Sequence, residues 1–367
     1  NNLLNKTIIK SSAILLLGSG LFFGGCSSTS STSTDNSTTT TSSTTLSLSA
    51  AVTTLAGTAG SSGSADGTGT AATFNQPYDG TVDNGNLYVT DFGNHLIRKI
   101  VISSGVVTTL AGTGSSGSAD GTGTAASFYS PGGITSDGTN LFVAGINNHI
   151  IRKIVISSGV VTTFAGTGST GSSDGTGTAA SFNFPFGITN DGTNLFVVDG
   201  QNHLIRKIVI SSGVVTTFAG TGSFGSADGT GTAASFNSPQ GITNDGTNLF
   251  VADVGNHLIR KIVISSGVVT TIAGTGSAGN ADGTGTAASF NAPPGITNDG
   301  TNLFVADRAN KIIRKIVISS GVVTTFAGTG SAGSADGTGT AASFNNPQSI
   351  THDGTSLFVM DNSNHTI

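Results

Sequence analysis

The chain has 367 residues, of which 36% are hydrophobic and only 9% are charged, and it contains 55 glycines. Such a hydrophobic content is not typical of an intrinsically disordered protein. The net charge of −5 argues against the broad basic surface that nucleic-acid binding needs, and the single cysteine excludes an intrachain disulfide and a cysteine-based metal site.

Residues 1–25 are predicted to be a lipoprotein signal peptide. Lys6 and Lys10 precede a short apolar stretch, "AILLLGSGLFF", which is too short to span a bilayer. The segment then ends in "FGGC", which resembles a bacterial lipobox with Cys26 as the residue that is lipidated after cleavage. A simple secretory signal with an unrelated cysteine is the alternative. We therefore expect a bacterial cell-envelope protein that is lipid-anchored, at the outer membrane if the cell is Gram-negative, or extracellular.

Residues 26–50 form a predicted flexible linker that begins at the lipidated Cys26. The segment is almost entirely Ser and Thr and has too few apolar residues to fold alone. It is predicted to hold a folded domain, residues 51–367, away from the membrane surface.

The folded domain is an array of repeats with a period of 54 residues. The motif "DGTGTAA" begins at six positions separated by steps of 54, namely Asp66, Asp120, Asp174, Asp228, Asp282 and Asp336. A second motif, "VxD", has the same period. Its aspartates are Asp91, Asp199, Asp253, Asp307 and Asp361, and Gly145 stands in the missing position.

Each repeat is predicted to contain four strands, here called a to d. In the third copy they are Phe186–Asn190, Leu195–Asp199, Leu204–Ile210 and Val214–Gly220. Asp-Gly and Ser-Gly pairs between β-branched runs indicate hairpin turns, and no segment has the apolar spacing of a helix.

The fold class is therefore all-β, and we predict a six-bladed β-propeller of four-stranded repeats. An isolated strand d, Val52–Gly57, precedes the first repeat and is predicted to close the last blade. The last repeat has strands a and b and ends at Ile367, so we expect the C-terminal blade to be truncated. A longer parent with seven or more blades and a solenoid of stacked hairpins are the alternatives.

The repeats resemble the NHL repeat family over residues 51–367. The pattern "F-x-x-P-x-G-I" is followed by "NLFVAD-x-x-NH-L/I-IRKI" and "VTT-AG", and "NHL" itself stands at Asn94-His95-Leu96. The resemblance implies a propeller fold. It also implies an alternative function, because peptidyl-hydroxyglycine amidating lyase and streptogramin lyases share this fold and hold a metal near the channel. None of their catalytic motifs matches this sequence residue by residue.

The polar residues of the repeat, represented by Asp91, Asn94, His95 and Arg98, are predicted to be structural. All 19 acidic residues are Asp, and 17 of them occupy repeated positions, whereas an active site usually needs distinct groups in distinct environments. The "DGTGTAA" loop has one carboxylate per copy, which is a poor match to known calcium loops. We therefore expect no catalytic residue, metal site or cofactor, with calcium or a transition metal as the alternative.

The candidate binding residues are those that differ from repeat to repeat. In a propeller, the d-to-a and b-to-c connections share one face, so these residues are predicted to surround the mouth of the central channel on the loop-rich face. The predicted rim consists of Tyr78, Asp79, Phe92, Tyr129, Phe184, Phe186, Gln240, Arg308 and Gln348.

The sequence favours a cell-surface binding or scaffold module for an extracellular or periplasmic protein, peptide or glycan. Its predicted contact with the membrane is through the lipid anchor, and we expect a monomer. A metal-dependent propeller enzyme of the lyase or hydrolase type, with its site at the central channel, is the alternative. RNA binding, as in TRIM-type NHL proteins, does not fit an acidic, exported domain, so no nucleic-acid partner is expected.

Overall fold

The computed structural model describes residues 50–367. The predicted signal peptide, the lipidation at Cys26 and the predicted linker up to residue 49 lie outside the described residues. The described part of the chain consists of β-strands and short 3₁₀ turns, and it contains no helix long and apolar enough to cross a membrane.

Five complete blades are arranged around a central channel. In each blade the strands are antiparallel and lie in the order a, b, c, d from the channel outwards. A two-residue Gly-Thr strand, which the sequence pattern did not predict, adds to the outer edge of strand d. The four strands of the third blade lie within one residue of their predicted bounds at each end, so the prediction of the repeat unit is confirmed.

The bounds of the strands repeat from blade to blade, and each list below gives the edge strand and then strands a to d. Blade 1 has Gly67–Thr68, Pro77–Asp83, Asn86–Asp91, Leu96–Val101 and Val106–Ala111. Blade 2 has Gly121–Thr122, Pro131–Ser136, Asn140–Gly145, Ile150–Val155 and Val160–Ala165. Blade 3 has Gly175–Thr176, Pro185–Asn190, Asn194–Asp199, Leu204–Val209 and Val214–Ala219. Blade 4 has Gly229–Thr230, Ile242–Asn244, Asn248–Asp253, Leu258–Val263 and Val268–Ala273. Blade 5 has Gly283–Thr284, Gly295–Asn298, Asn302–Asp307, Ile312–Val317 and Val322–Ala327.

Two kinds of 3₁₀ turn recur in the connections. One kind follows each Gly-Thr strand, at Gly69–Ala71, Gly123–Ala125, Gly177–Ala179, Gly231–Ala233, Gly285–Ala287 and Gly339–Ala341. The other forms the b-to-c corner, at Phe92–Asn94, Gly200–Asn202, Val254–Asn256, Arg308–Asn310 and Asn362–Asn364.

The prediction of six blades is wrong, because the structure has five. The sixth repeat contributes only a two-stranded sheet of strands a and b, Pro347–His352 and Leu357–Asp361. The N-terminal strand is Ala51–Val52, and it pairs with Gly337–Thr338 in a separate two-stranded sheet. This is the pairing that strand d makes with its edge strand in the complete blades, but no strand c joins it to strand b. The physical reason is that strand c must join strand b to strand d, and the sequence contains only five copies of the "IRKIV" segment that forms it.

The hydrophobic core lies between neighbouring blades. Phe142 and Ile151 of blade 2, for example, pack in one buried cluster with Phe182, Val197 and Ile208 of blade 3. Both faces of each sheet are therefore covered, which explains the apolar runs in strands b and c. The phenylalanine that precedes each strand a is buried at such a seam.

Candidate functional site

The polar corner of blades 1, 3, 4 and 5 is a buried structural network in this fold. In blade 3, Asp199 Oδ2 accepts hydrogen bonds from Asn202 Nδ2 at 2.8 Å and from Arg206 Nη1 at 2.9 Å. The other terminal nitrogen of Arg206 donates to Asp174 Oδ1 of the long loop at 2.8 Å, and its guanidinium lies 5.3 Å from the Phe182 ring centroid. Because Arg206 and Asp199 are both fully buried, the arginine binds the corner to the loop and does not face solvent.

A histidine bridges two neighbouring units at five of the six described corners, and Lys311 stands at the remaining one. His203 has a left-handed conformation, with φ of 56°, and its Nδ1 accepts the backbone N–H of Ser238 in the next blade at 3.0 Å. Equivalent bonds join His95 to Ser130, His149 to Phe184, His257 to Ala292 and His365 to Gln76. Burial lowers the pKa of His203, which favours the neutral ring that accepts this bond. These histidines therefore hold the ring of blades together.

The central channel is almost closed by the close approach of neighbouring strands. Its cavity has a volume of about 30 Å³, which is room for roughly one or two water molecules. Four glycines at one repeat position allow this packing, since an added Cβ would lie 2.3–2.5 Å from a backbone atom of the next unit. They are Gly133, Gly187, Gly241 and Gly295.

Asp79 and Ser349 replace glycine at that position in the first and sixth units, and they meet in the channel. Ser349 Oγ donates to Asp79 Oδ1 at 2.5 Å, and the backbone N–H of Ile134 donates to Asp79 Oδ2 at 3.0 Å. Burial raises the pKa of Asp79 to about 6. Ser349 was not among the predicted rim residues, although it differs from the glycine of four other units at this repeat position.

The channel mouth carries an aromatic pair beside a polar pair. The rings of Tyr78 and Phe92 are stacked, with their centroids 5.4 Å apart. Arg308 Nη1 donates to Gln348 Oε1 at 3.2 Å. Burial raises the pKa of the Tyr78 hydroxyl. Among the described residues, no donor bonds to the buried Oε1 of Gln240, which also lines the channel.

The structure brings together only part of the predicted rim. Six of the nine residues form a group that we call the mouth cluster, namely Tyr78, Asp79, Phe92, Gln240, Arg308 and Gln348.

The other three predicted rim residues make different contacts. Tyr129 and Phe184 pack edge-on against the histidines of the blade seams, at centroid distances of 5.6 Å and 5.0 Å. The ring of Phe186 lies over Gly200, where an added Cβ would be 2.3 Å from it.

One exposed aromatic residue lies outside the predicted rim. Phe224 lies in a d-to-a loop and is 77% exposed, more than any other large hydrophobic residue in the described part of the chain. Other repeats carry Ser, Thr or Ala at this position, so the same repeat-to-repeat variation that identified Phe92 would have identified it.

No metal centre is evident in residues 50–367. No group of three or more His, Cys, Asp or Glu side chains within that range lies close enough together to hold an ion.

We expect the Asp79→Asn variant to gain stability over the wild type as pH rises. The folded-state pKa of about 6 exceeds the ordinary value of 3.8. Ionisation of Asp79 therefore opposes folding, and the wild type loses roughly 2–3 kcal/mol relative to the variant between pH 4 and about pH 7. Urea unfolding of both proteins at several pH values in this range measures the difference in their free energies of unfolding. The difference should stay constant above about pH 7.

The Asp191→Asn variant is the matched control for this experiment. Although burial acts in the opposite direction, hydrogen bonds from Asn194 and nearby amides lower the pKa of Asp191 below 3.8. Its ionisation favours folding, and this contribution is lost only when the pH falls below about 4. The difference in stability between the wild type and Asp191→Asn should therefore not change with pH from about pH 5 upwards. An equally flat difference for Asp79→Asn would show that Asp79 ionises normally in the folded protein.

Curated relatives match this chain at the sequence level. SUPPRESSOR OF QUENCHING 1 of Arabidopsis thaliana, a chloroplastic protein, is 33% identical over 288 residues, which are 72% of this chain and 27% of the relative. NHL repeat-containing protein 2 of Bos taurus is 30% identical over 304 residues, which are 72% of this chain and 42% of the relative. The chain thus spans less than half the length of these relatives. No protein-family model matches the sequence.

A solved structure from Bacteroides thetaiotaomicron has the same fold. It is described as an auxiliary nutrient binding protein, and it superposes with a TM-score of 0.65 over 86% of this chain and 74% of that chain. The identity is 18%, so the likeness concerns the fold alone.

Proposed function

We propose that this chain, which is an NHL-repeat β-propeller, is a binding or scaffold module that contacts its ligand with the mouth cluster. The ligand is a protein, peptide or glycan outside the cell. The proposal includes the predicted signal peptide and lipid anchor, which would place the propeller at the bacterial cell envelope. The nutrient-binding description of the Bacteroides neighbour agrees with such a role.

The observation that carries the proposal is the composition of the mouth cluster. The Tyr78–Phe92 stack lies beside the Arg308–Gln348 hydrogen bond, and these positions differ between repeats whose surrounding residues are the same. Tyr, Phe and Arg are enriched in binding interfaces because they combine a large apolar area with polar contacts. The other arginines, in strands c, are buried in structural networks.

The size of the channel favours a ligand on the mouth over a substrate inside it. Sites that enclose small molecules have volumes of about 300–1,000 Å³, whereas the channel cavity has about 30 Å³. A ligand therefore contacts the exposed edges of the mouth cluster. No observation favours the alternative of a metal-dependent enzyme with its site in the channel.

A repeat-swap variant tests the proposal without disturbing the fold. Tyr78→Gln, Phe92→Val and Arg308→Val introduce residues that other units carry at the same positions, as in Gln240 and Val254. Immobilised wild-type protein and the triple variant are compared for capture of cell-surface proteins and glycans, and each captured ligand is then titrated. We expect the variant to bind at least about tenfold more weakly, as for the loss of interface hot spots.

The control is Ser211→Ala, an exposed position in a c-to-d turn, on the face opposite to the mouth cluster. It should bind as the wild type does. Equal affinity of the wild type and the triple variant would contradict the assignment of the mouth cluster as the binding surface.

A further inference from the structure

In five of the six units, the residue before the proline at the entry to strand a has a left-handed backbone. Its φ lies between 47° and 56°. We call these the pre-proline residues, and they are Gln76, Ser130, Phe184, Ser238 and Ala292. A non-glycine residue in this conformation is strained, and a residue before proline ordinarily adopts an extended backbone. Contacts elsewhere in the fold must therefore hold the pre-proline residues in place.

The contact that all five share is the hydrogen bond to a corner histidine. In blade 4, the backbone N–H of Ser238 donates to Nδ1 of His203 in blade 3 at 3.0 Å. The sixth unit lacks this bond, because Lys311 stands at the corner of the preceding blade. Its equivalent residue, Asn346, donates instead to Asp361 Oδ1 of its own unit at 2.8 Å, and its φ is not positive. The left-handed conformation thus occurs in the five units that have the histidine bond and is absent from the one that lacks it.

The bond requires a neutral imidazole. Nδ1 accepts an N–H only while it carries no proton of its own, since a protonated imidazole has two N–H donors and no acceptor. Protonation of His203 would therefore turn its Nδ1 into a second donor that faces the N–H of Ser238. No ion pair stabilises the charged ring, because within residues 50–367 no aspartate oxygen lies within 4.0 Å of a histidine nitrogen.

Few titratable groups face the corner histidines. Tyr129 packs edge-on against His95, and Asp361 lies in the same corner as His365. The rings that pack against the histidines of blades 2 and 3 are phenylalanines. In blades 1, 3 and 4, the aspartate and the arginine of the histidine's own corner bind each other. The charge of the imidazole is therefore set mainly by its burial.

Burial favours the neutral ring. It lowers the pKa of His95, His149 and His203 below the ordinary value of 6.5. A group whose pKa is lowered by folding stabilises the fold fully above its ordinary pKa, and this contribution is lost as the pH falls through the lowered value. The histidine bonds are thus complete above about pH 6.5 and weaken in acid.

The pre-proline residues control how the chain enters the channel mouth. Gln240 of the mouth cluster stands two positions after Ser238. Tyr78 stands two positions after Gln76 in the same way. The proline between them has a fixed φ. The direction of the chain at the mouth is therefore set mainly by the pre-proline residue, which the histidine of a neighbouring unit holds.

We propose that the corner histidines are positioning residues for the mouth cluster and that they release it in acid. At neutral pH, each histidine holds the pre-proline residue of the next unit and thereby the entry to strand a. When the imidazoles are protonated, the pre-proline residues relax towards the extended backbone, and the inner strands shift at the mouth. Release of a ligand in acid rests on the proposed function, whereas the structural change does not.

The test measures hydrogen exchange of the 367-residue protein by NMR at pH 7.5 and pH 5. Protection factors, which are corrected for the intrinsic pH dependence of exchange, are compared for the amides of Ser238 and Gln240. The second of these donates to the carbonyl oxygen of Ala252 at 3.0 Å and reports on the mouth. Protection of Ser238 should fall about tenfold at pH 5, since an imidazole that titrates at 6.5 once the bond opens allows at most about a thirtyfold change. Gln240 should lose protection in parallel.

His203→Asn is the matched variant, because asparagine tolerates a left-handed backbone and offers an acceptor that does not titrate. In this variant the protection of Ser238 at pH 5 should stay within about twofold of its value at pH 7.5. Ser130, which is bonded to the unchanged His95, should lose protection as in the wild type and is the internal control. His203→Ala should leave Ser238 unprotected at both pH values.

A measurement on the wild type alone keeps the test decisive if the variants do not fold. The ¹⁵N chemical shift of His203 Nδ1 reports the protonation of the ring. Its midpoint in a pH titration should coincide with the midpoint at which Ser238 loses protection, and two separate midpoints would contradict the proposal.

Three further outcomes would overturn it. They are equal protection of Ser238 at both pH values in the wild type, the same loss of protection in His203→Asn, and a loss at Ser238 without any change at Gln240. None of these measurements uses a ligand. A failure of the mouth cluster to bind proteins or glycans would therefore leave every result unchanged and would contradict only the proposed function.

Discussion

Arg206→Ala is expected to destabilise the protein by about 3–5 kcal/mol. The substitution leaves the Asp199 carboxylate fully buried, with hydrogen bonds only from Asn202 and the backbone N–H of Asn183. A buried charge without a partner is costly because neither water nor an opposite charge stabilises it. The measurement is the free energy of unfolding in urea at pH 7.

Blade 2 provides the matched control, because it has the arginine without the buried aspartate. Gly145 stands at the equivalent position, and Arg152 pairs only with Asp120, which is about half exposed. Arg152→Ala removes the same side chain but leaves no buried carboxylate behind, so we expect a smaller loss of about 1–3 kcal/mol. Equal losses in the two blades would show that the buried ion pair contributes nothing beyond the packing of the arginine.

Gly187→Ala is expected to destabilise the protein by roughly 2–4 kcal/mol, from overpacking and one lost hydrogen bond. The backbone N–H of Gly187 donates to the carbonyl oxygen of Gln240 at 2.9 Å, and an added Cβ would lie 2.4 Å from that oxygen. The inner strands of blades 3 and 4 would have to separate. Urea unfolding and hydrogen exchange at the inner strands measure the effect.

Gly192→Ala is the control for this prediction. Gly192 has φ of +86° and no atom within 4 Å of an added Cβ, so alanine there costs only the backbone strain of about 1 kcal/mol. If Gly187→Ala loses no more stability than Gly192→Ala, the neighbouring strands can separate freely and the glycines do not close the channel.

Much of the repeat unit could be predicted because its signals are local. In the a-to-b turn of blade 3, Asp191 Oδ1 accepts the backbone N–H groups of Thr193 and Asn194, so this hairpin depends on residues within four positions. The two-residue edge strands were missed because Gly-Thr has neither the length nor the β-branched pattern that indicates a strand.

The candidate site was predicted less well because its residues meet only across units. Repeat-to-repeat variation selected Tyr78, Phe92 and Arg308, but the same rule selected Tyr129 and Phe184, which pack at the blade seams. Variation shows where the repeat tolerates change. It does not show which side chains converge, since that depends on the rotation from one blade to the next.

The sequence by itself determined the 54-residue antiparallel unit and the structural role of its polar corner, because hairpin turns, strand periodicity and the contacts within one corner are local properties. Only the tertiary structure decided the closure of the channel by glycines and the meeting of Asp79 with Ser349. Both depend on contacts between residues one repeat or more apart, and in the second the first and sixth units of the described chain meet. No local pattern reports on such contacts, because their geometry is set by the packing of all the units together.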